Sequence, residues 1–186
     1  MPKARTNQVR IIGGSHRRRL LHFPDIPGLR PTPDRVRETL FNWLGQDLTG
    51  LVCLDAFAGS GALGFEAASR GAQRVVMWER DAKALAALRR HALELGIDGV
   101  EVLAADAVAQ LGGAGELFDL IFQDPPFAAG FLDRALTGAA TRLRPGGRIY
   151  AESAKQLPQD MLEHLGFALV RQGKAGLSHY CLLERT

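Results

Sequence analysis

The sequence predicts an α/β fold built on a mostly parallel sheet, and three observations carry that expectation. From residue 50 onward short apolar runs alternate with helix-favouring stretches, the pattern of a parallel sheet covered on both faces. The first run, Leu51 to Ala56, breaks into a loop with glycines at 59, 61 and 64 before an alanine-rich stretch to Arg70. A strand, a glycine turn and a helix in that order make a nucleotide-type binding loop. The last two apolar runs, Phe167 to Arg171 and Ser178 to Glu184, are close enough to pair as an antiparallel hairpin.

Residues 1–8 read as disordered, polar and basic, and Val9 to Ile12 as a short strand stopped by Gly13-Gly14. Leu20-Leu21 forms its partner, so residues 1–31 are expected to be a basic extension holding a small β-hairpin. Pro24, Pro27, Gly28 and Pro31 make the following stretch an irregular connector. The domain proper is expected over residues 32–186. It opens with a helix capped by Thr32, with Pro33 in its first turn and Val36, Leu40, Phe41 and Leu44 as its apolar stripe. Gly45 ends it.

The remaining elements alternate. A second strand runs from Arg74 to Trp78 and ends at Glu79; a helix capped by Asp81 extends to Leu95 and stops at Gly96. A third strand, Val100 to Leu103, has Asp106 just beyond it. A fourth, Phe118 to Phe122, leads into Asp124-Pro125-Pro126-Phe127. A helix over Phe131 to Leu143 precedes the Pro145-Gly146-Gly147 turn and a fifth strand, Arg148 to Glu152. A short helix, Asp160 to Leu165, precedes the final hairpin.

Composition narrows the setting. At 186 residues, 46% hydrophobic and 23% charged, the chain suits one domain with a real core. It has neither an apolar run of membrane-spanning length nor an apolar signal core, so a cytoplasmic, non-membrane protein is expected. Cys53 and Cys181 lack metal-ligand spacing and read as buried reduced thiols, and no metal site is expected. Residues 1–40 carry nine Lys or Arg against three acids, whereas the rest carries 14 against 17. A polyanion contacted mainly by the N-terminal segment fits that asymmetry, as does a solvated tail.

Ligands of open parallel sheets bind beyond the C-terminal strand ends. Asp55, Glu79, Asp106 and Asp124 all fall at such ends. Each alone suits a cap or turn, but four at successive ends point to a site. Gly59 to Gly64 satisfies G-x-G-x-x-G with Glu79 at ribose-binding distance, which taken alone suggests NAD. Asp55 opposes that assignment, because an acid in front of the loop repels a pyrophosphate. It suits a cationic ligand with an amino group, such as S-adenosylmethionine. In Asp124-Pro125-Pro126-Phe127 the prolines fix the backbone, Asp124 and the Pro125 carbonyl can accept both hydrogens of an exocyclic amine, and Phe127 offers a ring for a base to stack on. Orientation of an amine towards a methyl donor needs no covalent enzyme intermediate.

Arg10-Ile11-Ile12-Gly13-Gly14, Gly28-Leu29-Arg30-Pro31-Thr32, Asp34 to Leu44, Phe57 to Gly64 and Asp124 to Phe127 together resemble the bacterial 16S ribosomal RNA guanine-N2 methyltransferase family acting on guanine 966. The resemblance implies a Rossmann-like class I methyltransferase fold and methyl transfer from S-adenosylmethionine to small-subunit rRNA, in the 30S subunit or an assembly intermediate; nothing in the sequence suggests an obligate dimer, and a monomer is expected. The resemblance places Asp55, Gly59 and Gly61 around the methionine part, Glu79 at the ribose and Asp106 at the adenine amine. Phe57, Ala58, Ser60, Arg80 and Ala107 complete the expected cofactor set. Asp124, Pro125, Pro126 and Phe127 are the expected catalytic residues. Arg10, Arg17, Arg18, Arg19, Arg30, Arg35 and Arg37 are the expected nucleic-acid contacts, although spacing alone leaves Arg35 and Arg37 as solvated side chains. Two positions depart from the family: His16 stands where an aromatic is common, and Pro33 where a second threonine is common. The alternatives are a DNA adenine-N6 or other amino methyltransferase and a non-catalytic RNA-binding module.

Overall fold

The computed structural model describes residues 7–126 and 131–186. Its centre is a seven-stranded sheet in the order β5-β4-β3-β6-β7-β9-β8. β3 (Val52–Asp55), β4 (Arg74–Glu79), β5 (Val100–Ala104), β6 (Phe118–Gln123) and β7 (Leu143–Ser153) are parallel. β8 (Phe167–Ala175) and β9 (Ser178–Arg185) close one edge as the expected antiparallel hairpin, with β9 against β7.

Among the described residues six helices cover the sheet: α1 (Asp34–Leu44), α2 (Ala62–Ser69), α3 (Ala82–Leu95), α4 (Ala107–Leu111), α5 (Phe131–Arg142) and α6 (Gln159–His164). Two apolar cores result. One packs α1, α2 and α3 on one face; the other packs α4, α5 and α6 on the opposite face. Fully buried side chains such as Phe41, Phe65, Phe118 and Phe122 contribute about 1.5–3 kcal/mol each.

The N-terminal hairpin, β1 (Asn7–Arg10) with β2 (Leu20–Phe23), forms its own two-stranded sheet but not its own core. Val9, Ile11, Leu21 and Phe23 join the α1–α3 core. Asn7 and Gln8, expected to be disordered, pair with Phe23 and His22; residues 1–6 lie outside the described residues.

A buried network fixes the hairpin to α2. Glu66 accepts the Ile12 and Gly13 N–H groups at 2.8 and 2.7 Å, Arg70 Nε at 2.8 Å and Arg37 Nη1 at 3.3 Å. Ser69 Oγ donates to the Gly13 carbonyl and accepts the His16 N–H. Gly14 takes φ +73°, and a Cβ there would stand 1.8 Å from the Ser69 carbonyl oxygen, so only glycine permits this approach. The His16 ring is held at both nitrogens, by Ser15 Oγ and the Leu95 carbonyl, and serves the docking of this turn.

Two expectations for α1 are corrected. Its N-cap is Pro33, with no side-chain cap bond, and Thr32 turns towards the sheet instead. Arg37 has no exposed surface. It bonds to the Thr32 and Arg10 carbonyls, Asp34 and Glu66, which removes it from any nucleic-acid surface.

Candidate active site

The strand order reverses between β3 and β6, and ligands of open parallel sheets bind beyond the carboxyl ends of the strands at such a switch point. Asp55 ends β3 and is buried. Its Oδ2 accepts the Gly64 N–H at 2.9 Å, on the first turn of α2. A Cβ on Gly64 would lie 3.0 Å from that oxygen and 2.8 Å from Met77, so the glycine lets helix and strand close on one another. Glu79 ends β4; its Oε2 accepts the Gly59 N–H at 2.8 Å, and its Oε1 accepts the Arg80 and Asp81 N–H groups. Two N–H groups of the glycine loop, those of Gly59 and Gly64, are therefore held by protein carboxylates, and that of Gly61 by the Ala58 carbonyl.

The donor set decides which nucleotide fits. Among the described residues Asp55, Glu79, Asp124 and Glu152 form no ion pair. Asp106 Oδ1 caps α4 through the Ala109 N–H, and its Oδ2 lies 3.8 Å from Arg80 at the rim. A pyrophosphate would meet acids here; a sulfonium and an ammonium would meet complementary charge. The residues present fit S-adenosylmethionine and not NAD. Burial, and then the charge of Glu79, push the Asp55 carboxyl up to about 7, against the hydrogen bond from Gly64. Of the other expected cofactor residues, Ala58, Ser60, Gly61 and Ala107 are buried, Phe57 and Gly59 are half-buried and Arg80 is exposed.

Asp124 follows β6 directly, with Pro125 buried and Pro126 exposed beside it. Phe127 lies outside the described residues. β6 and β7 pair Gln123 with Ala151, so the next residues along the chain are Asp124, just past β6, and Glu152 on β7. Burial, then the charges of Glu152 and Asp55, hold the Asp124 carboxyl well above the usual carboxylate range. Thr32 Oγ1 lies 3.1 Å from Glu152 Oε1 and 3.5 Å from Asp124 Oδ2. Tyr150 Oη donates to Glu152 Oε1 at 2.7 Å and Ser178 Oγ to Oε2 at 3.1 Å. Burial and the Glu152 charge keep the Tyr150 phenol well above its ordinary value, hence neutral.

Thr32, Tyr150, Glu152 and Ser178 were not among the expected site residues. The signal for Glu152 was present, since it closes the fifth parallel strand as the other acids close theirs. Arg10, Arg17, Arg18, Arg19, Arg30 and Arg35 are exposed. Arg30 lies two residues before Thr32, and Leu29 lies over Gly59, so this part of the basic segment runs up to the glycine loop.

A parallel sheet with a C-terminal antiparallel hairpin, an acid-lined glycine loop and an Asp-Pro-Pro turn at the switch point define a class I, S-adenosylmethionine-dependent methyltransferase fold. The chain matches the family model described as Conserved hypothetical protein 95 over residues 9–184. It belongs to the family of the ribosomal RNA small subunit methyltransferase D proteins. It is similar to that protein of Haemophilus influenzae, at 36% identity over 183 residues covering 95% of this chain and 94% of the relative. It is also similar to that of Escherichia coli K12, at 45% identity over 131 residues, 70% of this chain and 66% of the relative's own length. A solved Escherichia coli structure superposes with a TM-score of 0.83 at 38% identity, covering 96% of this chain and 98% of that one. The Thermus thermophilus 16S rRNA N2 G1207 methyltransferase, solved with S-adenosylmethionine and guanosine, gives a TM-score of 0.75 at 26% identity, over 98% of this chain and 50% of that one.

Proposed function

We propose that this protein transfers a methyl group from S-adenosylmethionine to the exocyclic N2 of a guanine in 16S ribosomal RNA, in the 30S subunit or an assembly intermediate. The observation that carries the reading is the placement of Asp124, Pro125 and Pro126 at the β6 end of the switch point, next to the acid-lined loop. The named activity of the relatives, and the guanosine bound by the Thermus thermophilus neighbour, support the same substrate class.

Asp55, Phe57, Ala58, Gly59, Ser60 and Gly61 would hold the methionine part, Glu79 and Arg80 the ribose, and Asp106 and Ala107 the adenine. Bound there, the cofactor supplies a methyl group made electrophilic by its sulfonium. The chain's own work is alignment. Asp124 and the Pro125 carbonyl accept the two hydrogens of the amine, which turns the nitrogen lone pair out of the ring and towards the methyl group. Phe127 gives the base a stacking surface. Asp124 then takes the proton that the methylated nitrogen sheds. A guanine inside a stacked helix must be unpaired or flipped out to reach this turn. Exposed Arg10, Arg17, Arg18, Arg19, Arg30 and Arg35 would hold the flanking phosphates. The protein is taken to act as a monomer in the cytoplasm.

The test is incubation of 30S particles lacking the modification with labelled cofactor, followed by mapping of the product. Label on the N2 of a single guanine is expected, with Asp124→Ala folded but nearly inactive. No label with the wild-type protein, or equal label with the variant, would sink the reading.

A further inference from the structure

Glu152 has no task in that scheme, yet it is among the most enclosed acids of the molecule. Three hydroxyls converge on it from three segments: Tyr150 on β7, Thr32 before α1 and Ser178 at the start of β9. A carboxylate buried without a cation costs several kcal/mol, and an apolar side chain would close the strand equally well. Thr32 has one hydroxyl proton and two carboxylate neighbours, at 3.1 and 3.5 Å. It can donate to one and accept from the other only when one of the two carboxylates carries a proton. The longer contact suits a bond that tightens when substrate closes the site.

We propose that Glu152 is a positioning residue that shares one proton with Asp124 across the Thr32 hydroxyl, keeping Asp124 able to take the proton released by the methylated amine. The inference rests on the functional reading above. The N–H bond of the amine breaks as the Asp124 O–H bond forms. Before that transfer Asp124 releases the shared proton to Thr32 Oγ1 as Thr32 passes its own hydroxyl proton to Glu152, which leaves Asp124 ionised to receive the amine proton; the surplus proton then leaves Asp124 for water as the product departs. The threonine is regenerated, one proton has moved and no charge is created. The ionisable groups around the pair are Asp55 from β3, Tyr150 from β7 and Tyr180 from β9, which stands opposite Glu152 in the sheet; His179 stands opposite Ser153.

The test follows the Asp124 carboxyl by carbon NMR in the free protein as pH is varied, alongside the pH profile of kcat. In Glu152→Gln the charge that opposes ionisation of Asp124 is gone. The Asp124 midpoint and the acid limb of kcat should both move to lower pH. Thr32→Val removes the bridge and a donor to Asp124, so the midpoint should rise and kcat fall by about tenfold with KM unchanged. An Asp124 midpoint that stays fixed or rises in Glu152→Gln overturns the shared proton, as does a Thr32→Val enzyme with wild-type kcat. If the midpoints move as stated but the wild-type protein methylates no guanine, the functional reading fails and the proton sharing stands.

Discussion

Replacing Asp55 with asparagine should stabilise the free protein at neutral pH and weaken its hold on the cofactor. Burial raises the Asp55 carboxyl from 3.8 in the unfolded chain to about 7 in the folded one. A carboxyl raised that far costs the folded state about 4 kcal/mol once it is ionised. The sign is opposite to that of a salt-bridged aspartate. Below about pH 4 both states hold the proton and nothing is lost. Between about pH 4 and 7 the unfolded chain ionises while the folded chain does not, so stability falls; above 7 it levels off. Asparagine has no such slope and keeps an acceptor for the Gly64 N–H, at a loss of about 1 kcal/mol for the weaker bond. The variant should gain about 3 kcal/mol at pH 8, or about 6–12 °C in Tm, and nothing at pH 4. Urea titrations of both proteins across that range measure the difference. Parallel pH profiles, or a variant less stable than wild type at pH 8, refute the reasoning.

Glu66→Ala strips Arg37 of its buried carboxylate and leaves the Ile12 and Gly13 N–H groups unpaired. It should cost about 3–5 kcal/mol in denaturant unfolding. Joint replacement of Arg17, Arg18 and Arg19 by alanine should weaken RNA binding and flatten its dependence on salt, with an unchanged slope marking them as merely solvated. Glu79→Ala should raise the cofactor Kd by the equivalent of about 1–3 kcal/mol in calorimetry. It also frees the Gly59 N–H that the carboxylate holds, so an unaltered Kd would place the ribose elsewhere.

The alternation of strand and helix is legible because each strand is a short apolar run bounded by a turn; β7 departs from this, since it begins at Leu143 and takes in the Pro145-Gly146-Gly147 stretch expected as a turn, with a register shift against β6 before Arg148. α4 leaves no mark in the sequence pattern, because its five residues are too few to show a helical period. Arg37 is expected at the surface, as a nucleic-acid contact or a solvated side chain, although positions 37, 40, 41 and 44 share one helical face; the partner that makes its burial tolerable, Glu66, lies 29 residues away. The local spacing of Thr32 fits a helix cap. Its actual partners, Glu152 and Asp124, are 120 and 92 residues distant, and only the closed sheet brings them within reach. Local patterns thus placed the strand ends, while the side chains that join one strand end to another depended on contacts the pattern does not contain.

α2 is only eight residues long, and both of its ends are spoken for. Gly64 ties its first turn to Asp55 and the cofactor loop, and Glu66 and Ser69 tie the remainder to the backbone of the arginine-bearing hairpin. Gly64 and Ser69 are about 7.5 Å apart along the axis, at 1.5 Å per residue. The helix is therefore a gauge block that sets the spacing between the acid-lined glycine loop and the arginine-bearing hairpin. One residue added or removed between those anchors would turn one about 100° against the other, so length here is as constrained as chemistry.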